Sequence, residues 1–268
     1  MIKGNQMNRT NTKKVALACA LALSAAVFAA GCGKKESEDL TSTHTTAAET
    51  IAEETSAAET EPALSLETTA DTGSSTETYT SGKVSIQYPV INSLDDTDIQ
   101  ETVNALLKEN ALAALEGYGI NEETDTVSVT SRILSADRSR IVVIFRGTCT
   151  TEDGETTNLF YSSNIDVSTG KNLQLTHYAD PATLAAYVLS DDVVFPEASS
   201  DEKEALMTEK NTRKKSEYTK LFQSADFSGS TDFPQSFSYE YEGDIYFSIP
   251  VSHELGDYAI VVYTPENK

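Results

Sequence analysis

Few residues in this chain are of types that do acid–base, thiol or metal chemistry, and their spacing limits what they can do. The 268 residues include three histidines and three cysteines. His253 lies in "PVSHELGDY", a connection between two predicted strands, with Glu254 and Asp257 near it. His177 stands just ahead of Asp180. The two histidines with Asp180 and Asp257 would make a zinc set if the fold gathered them. The chain carries no His-x-x-x-His or Cys-x-x-Cys spacing, however, and histidines in polar turns account for the same residues more simply. Cys149, in "FRGTCTTEDGE", sits among carboxylates that disfavour a thiolate, so it reads as a passive strand or loop residue. "DFSGSTDF" lacks the second glycine and the following helix of a serine elbow. "STGK" lacks the glycine run and helix of a phosphate loop. No catalytic residue, metal ligand or cofactor is assigned.

Aromatic residues are the other concentration of functional types. Tyr239, Tyr241 and Tyr246 crowd one predicted hairpin together with Phe237 and Phe247. Alternate side chains on a strand face opposite sides. One set is expected in the core and the other in a solvent-side stripe, where tyrosine suits a binding surface because it is large, rigid and amphipathic. Core packing with cross-strand pairing explains most of this cluster without any partner. The candidate binding surface is Tyr239, Tyr241, Tyr246, His253, Glu254 and Asp257, with an envelope hydrolase built on His177 or His253, or an accessory to such a hydrolase, as the alternative.

A different chemistry is expected at Cys32. Met1 to Lys14 is basic without an acidic residue, and Val15 to Ala30 is a short apolar run. That is a charged leader followed by the apolar core of an export signal, shorter than the ~20 residues a spanning helix needs. Ala29, Ala30 and Gly31 then precede Cys32, which resembles the lipobox of bacterial lipoproteins. The resemblance implies cleavage before Cys32 and acylation of its thiol. Two or three acyl chains, at about 0.8 kcal/mol per buried CH₂, anchor stably where one would be marginal. Residues 1–31 are read as the lipoprotein signal peptide, which places the chain on the extracytoplasmic side of the cell membrane.

The formal net charge is -22, and the leader contributes four of the basic residues. Such a surface repels phosphates, which excludes nucleic acid as a partner and favours basic proteins or cations. Residues 32–80 hold eleven acidic residues against two lysines, in Thr, Ala, Glu and Ser with almost no aromatic residue. Too little apolar surface is present to offset chain entropy, so this stretch is expected to be a disordered tether.

The elements that must position the candidate residues follow from residue 81 onward, with a sub-boundary near 155–180. "KVSIQYPVI" alternates as a strand stopped at Pro89. "LDDTDIQETVNALLKENALAALEGYG" is an amphipathic helix capped by Asp95 or Asp96 and stopped at Gly117 and Gly119. Strands flank a turn at Asp137 to Ser139 and another at "EDGE", and Gly170 is expected at positive φ in a hairpin loop. Asp180-Pro181 opens a helix, and residues 200–222 read as one polar helix. Strands return from Phe237, with a turn at Glu242 to Asp244. Neighbouring hairpins with helices between them predict an α+β fold with a mostly antiparallel sheet.

"VSIQYPVI" with its following helix, "NIDVSTGKNLQL" and "GDIYFSIPVSHELGDYAIVV" together resemble the extracytoplasmic module of RsiV-type anti-sigma factors and PdaC-type peptidoglycan deacetylases, a pair of adjacent domains of unknown function. The resemblance runs from about Lys83 to the C-terminus. It implies a binding or sensing module that takes lysozyme in RsiV and accompanies a separate catalytic domain in PdaC-type enzymes. No "TFDDGP"-like metal motif is present, so the expectation is the binding module alone, displayed on a lipid. Its ligand would be lysozyme or another basic protein, or peptidoglycan.

Overall fold

The computed structural model describes residues 73–92, 94–229 and 232–265. Cys32, the leader, His44 and most of the tether lie outside the described residues. The fold is α+β, with a six-stranded sheet, a three-stranded sheet and five α-helices among the described residues.

In the first sheet the strands are β1 (Ser74–Ser81), β2 (Val84–Ile91), β3 (Thr126–Ala136), β4 (Arg140–Thr150), β5 (Thr156–Asp166) and β6 (Lys171–Asn172), in sequence order across the sheet. All neighbours pair antiparallel except β2 and β3, which run parallel over Val84 to Ile86. The parallel pair requires a crossover, and α1 (Thr97–Gly117) supplies it. Asp96 caps α1 by accepting from the amides of Asp98 at 2.9 Å and Ile99 at 3.1 Å. Val103, Leu107, Ala111 and Ala114 recur at three- and four-residue steps and are all fully buried against the sheet, as a helix stripe must be. Asn110, on the same stripe, is satisfied by donating to Ser163 Oγ at 2.7 Å and Asn172 Oδ1 at 2.9 Å. Beyond the short pairing with β3, Asn104 takes over as a side-chain partner of β2, bonding both the N–H and the C=O of Ile91 at 2.8 Å.

Two sequence expectations are corrected here. Ser74 to Thr80, assigned above to the tether, belongs with Ser81 to an edge strand paired along its whole length with β2. Its residues are mostly exposed, so burial imposes no apolar alternation, and an edge strand of Ser, Thr and Glu has the composition of a linker. Pro89 does not stop β2. It lies within the strand, opposite Thr76, and the strand continues to Ile91. Gly170 has φ +62 in the β5–β6 turn, as expected.

A helical layer follows: α2 (Leu175–Tyr178), α3 (Pro181–Val188), α4 (Ser200–Glu209) and α5 (Lys215–Gln223). Asp180 caps α3 through the Thr183 amide at 2.8 Å, and Ser199 with Glu202 forms a capping box on α4. The expected single helix over 200–222 is divided by a 3-10 turn at Lys210–Thr212 and an extended Arg213. The division has tertiary causes. The buried Lys210 ammonium donates to the Ser190 carbonyl, and the Arg213 guanidinium donates to the Pro250 carbonyl at 2.9 Å.

The second sheet is β7 (Ser238–Tyr241), β8 (Asp244–Pro250) and β9 (Tyr258–Tyr263), antiparallel with β8 in the centre. Both of its faces are covered. Ile245, Phe247, Ile249, Ala259 and Val261 pack with Leu184, Val188, Tyr218 and Phe222 of the helices. Phe237, Tyr239 and Ile260 belong instead to the core shared with α1 and the first sheet.

A polar seam joins the two sheets. Asp226, at φ +66 and 2% exposed, accepts from the Ser238 amide at 2.6 Å and the Ser238 hydroxyl at 2.5 Å. Ser162 and Asn164 on β5 donate to the Ser238 carbonyl at 2.6 and 2.7 Å. At the same junction Arg140 on β4 pairs with Glu240 on β7 at 2.6 Å and lies 5.6 Å from the Tyr178 ring centre.

Candidate functional site

Beside this seam, where the end of α1 meets β5, β8 and β9, the surface opens into a cleft of about 170 Å³. Its floor is Phe160 and Phe237, both nearly fully buried. Half-buried Tyr118, Phe233 and Tyr258 form its walls, and Asn158, Gln235 and Asp257 lie at its rim. The walls are held by ring contacts. Tyr258 stacks on Phe160 at 5.1 Å, Phe233 meets Tyr118 edge-on at 5.2 Å, and Phe237 lies 5.3 Å from Phe233. Each pair is in the range where aromatic rings attract beyond their buried area.

Each wall has a local reason. Tyr118 caps α1, and its hydroxyl donates to the Phe160 carbonyl at 3.0 Å while accepting from the Phe160 amide at 3.3 Å. It so occupies the edge of β5 that the two-residue β6 leaves uncovered. Burial pushes this hydroxyl up to about 12, so it stays neutral. Gly117 is required by packing: a Cβ there would lie 2.1 Å from the Phe233 ring. The segment carrying Phe233 is clipped at its ends, where the Asp226 amide donates to the Ser236 carbonyl at 3.0 Å and the Ser236 hydroxyl donates to the Ser248 carbonyl at 2.7 Å.

At the mouth, His253 Nδ1 is 2.7 Å from Asp257 Oδ1, four residues on. The second carboxylate oxygen accepts from the Asn158 amide on β5 at 2.7 Å. Asp257 sits at φ +72, so its left-handed backbone directs the carboxylate toward both partners. The hydrogen bond to Asp257, then its charge, raises the His253 pKa above its ordinary value, with Glu155 and Glu254 adding to it. The pair can hold a proton. Among the described residues no three His, Cys, Asp or Glu side chains converge as a metal site would need.

The remaining candidates fall elsewhere. Tyr239 is buried at 6% exposure and stacks on Tyr246, its cross-strand partner, at 4.8 Å. Tyr241 follows on the same face, partly buried against the same core. The expected division into a core set and a solvent stripe is thus corrected. Phe237, Tyr239 and Tyr241 all face the first sheet, Phe247 faces the helices, and a second layer covers each side. Phe160 continues the row, 6.4 Å from Tyr239, and connects it to Tyr258 of the cleft. Glu254 is exposed beside His253. His177 lies on α2 against Tyr178. Cys149 is buried on β4, and burial, with the charge of Asp125, raises its thiol pKa. The sequence reading missed Tyr118, Phe160, Phe233 and Tyr258 as site residues, and placed Phe237 only in the aromatic cluster of the hairpin. The only local sign of them was the Gly117-Tyr118-Gly119 helix end, because the cleft draws on segments far apart in the chain.

The fold and the cleft together define a two-sheet α+β module with an aromatic pocket at the sheet junction. Among solved structures, the chain is similar to a member of the DUF3298 family from Bacteroides fragilis, at 12% identity and a TM-score of 0.40, over 73% of this chain and 89% of that one. It is also similar to a DUF3298 family protein from Pseudomonas aeruginosa, at 12% identity and a TM-score of 0.32, over 74% of this chain and 96% of that one. No family model and no curated protein matches the sequence. Likenesses this weak carry no argument about ligand or activity.

Proposed function

We propose that this chain is a non-enzymatic binding or sensing module of the bacterial cell envelope, anchored to the membrane through a lipid on Cys32 and facing the extracytoplasmic side. The export leader and the small residues before Cys32 support the address. The observation that carries the binding role is the partly open cleft walled by Tyr118, Phe233 and Tyr258. Half-exposed aromatic rings ringed by a few polar groups are what a small recognition pocket requires. The ligand classes are a cell-wall component or a basic protein such as lysozyme, the second matched to a chain of net charge -22.

The test is retention of the mature protein on peptidoglycan and on immobilised lysozyme, at low and at high salt. Binding to either, with faster association to lysozyme at low salt, is the expected result, because complementary charge acts mainly on encounter. Failure to bind both at low salt refutes the reading. Mass spectrometry of the mature N-terminus tests the anchor, and an intact Met1 would refute it.

A further inference from the structure

Charge and size favour one class of occupant for the cleft. Among the described residues that line it none is basic, and one, Asp257, is acidic. Two guanidinium groups stand against the lining, Arg146 5.3 Å from the Phe160 ring centre and paired with Glu197, and Arg213 on the Pro250 carbonyl, while the groups at the mouth beside Asp257 are acidic. Asp257 is on the lining, Glu254 lies on the preceding 3-10 turn, and Glu155 on the β4–β5 turn is near enough to act on His253. Behind that turn, Glu209 at the end of α4 accepts from the Ser252 amide at 3.2 Å. The single imidazole present engages one Asp257 oxygen and the Asn158 amide the other. A carboxylate has about four lone-pair positions, which leaves acceptor capacity on both oxygens. Aromatic faces attract cations, and the stems of lysine and arginine cover apolar surface while their heads stay polar. The volume, about 170 Å³, falls below the ~300 Å³ at which pockets for whole small-molecule ligands begin, and it suits one long side chain. A glycan would stack on the same rings and could donate a hydroxyl to Asp257, but it brings no positive charge to the acidic mouth and would want an extended groove.

We propose that this cleft takes the side chain of a lysine or arginine displayed by a basic polypeptide, with its aliphatic stem against Tyr118, Phe233 and Tyr258 and its cation at the Asp257 carboxylate. The inference rests on the binding-module reading and names the chemistry of its partner.

The test titrates the mature protein with three probes: a lysine-rich decapeptide, the same peptide with every lysine acetylated, and chitotetraose. The expected result is binding of the first peptide, at least tenfold weaker binding of the acetylated one, and little or none of the glycan. Asp257→Asn keeps a residue that tolerates the left-handed backbone and should weaken the lysine peptide about tenfold. Asp201→Asn, an equal charge change on exposed α4, should leave affinity within about twofold. Tyr258→Leu gives a second variant, with a thermal melt to show that it folds, and should also lose at least fivefold. Equal effects of Asp257→Asn and Asp201→Asn would mean diffuse charge attraction and overturn the proposal. Binding of chitotetraose or peptidoglycan without the peptide would overturn it while leaving the module reading standing. Binding of none of these, nor of lysozyme, would end both.

Discussion

Asp226 should make the stability of this module depend on pH in an unusual direction. Its carboxyl is enclosed between β5, β7 and the chain ahead of α2, and burial outweighs its hydrogen bonds to Ser238, pushing its pKa from 3.8 to about 7. In the unfolded chain the group ionises near its ordinary value. Between about pH 4 and pH 7 the folded chain therefore keeps a proton that the unfolded chain has lost. Stability falls through that window at up to about 1.4 kcal/mol per pH unit and levels off above it. The total is about 4 kcal/mol, a large share of the 5–15 kcal/mol typical of a domain.

Asp226→Asn isolates this contribution. Asparagine keeps an acceptor for the Ser238 amide, tolerates φ +66, and carries no charge at any pH. The hydroxyl of Ser238 can turn from donor to acceptor, so the fixed cost of the exchange should be small, and it cancels between pH values. Urea unfolding of the leaderless protein and the variant, from pH 4.5 to pH 8, measures the difference directly. The variant should gain about 3 kcal/mol relative to the parent across that range. Other titrating groups are shared by both proteins. His253, whose pKa is raised, contributes stability at low pH that is lost as pH rises through its folded value. Asp137, Asp166, Asp180 and Glu202, held below their ordinary values by hydrogen bonds, contribute stability that is lost only on acidification. Parallel stability curves for parent and variant would refute the account of Asp226.

Two further outcomes follow from packing. Gly117→Ala places a methyl group 2.1 Å from the Phe233 ring and should cost about 1–3 kcal/mol of stability, as overpacking does; an unchanged urea midpoint would show that the cleft wall is not held there. Cys149 is 6% exposed with a raised thiol pKa, so in a leaderless Cys32→Ser protein a thiol reagent should label it only as fast as the chain unfolds. Rapid labelling in native buffer would contradict its burial.

What could be read in advance depended on whether a constraint was local. The crossover helix α1 was legible because its cap, its buried stripe and its terminal glycine lie within one continuous stretch. That Asp257 lies near His253 was legible in the chain, but the contact depends on the left-handed backbone of Asp257, which the residue types alone do not fix. The edge strand β1 was not, since an exposed strand needs no apolar period and its Ser, Thr and Glu match a linker. The break between α4 and α5 was not, because the carbonyls that draw Lys210 and Arg213 out of the helix belong to Ser190 and Pro250. The tyrosines of β7 and β8 were seen as a cluster, but their burial depended on a second sheet whose approach no local pattern encodes. The cleft was the least legible feature, since its walls come from the end of α1, the middle of β5, the segment before β7 and the start of β9.

The buried seam and the cleft share a segment of chain, and this links their energetics. The stretch from Asp226 to Ser238 leaves the seam at a left-handed residue, supplies Phe233, Pro234 and Gln235 to the cleft, and returns to the same carboxyl through the Ser238 amide. Its two ends are thus tied to each other and, through Ser236 and Ser248, to β8. Phe233 is held by the rings of Tyr118, Phe227, Phe237 and Tyr161 and by the bare backbone of Gly117. Removing the Asp226 carboxyl with Asp226→Ala would leave the buried Ser238 amide and hydroxyl without their acceptor, at about 1–3 kcal/mol for each group. The strain of re-satisfying them falls on the segment that forms the cleft wall. A polar group that contacts no ligand would in this way set the shape of the pocket, through the short chain it closes.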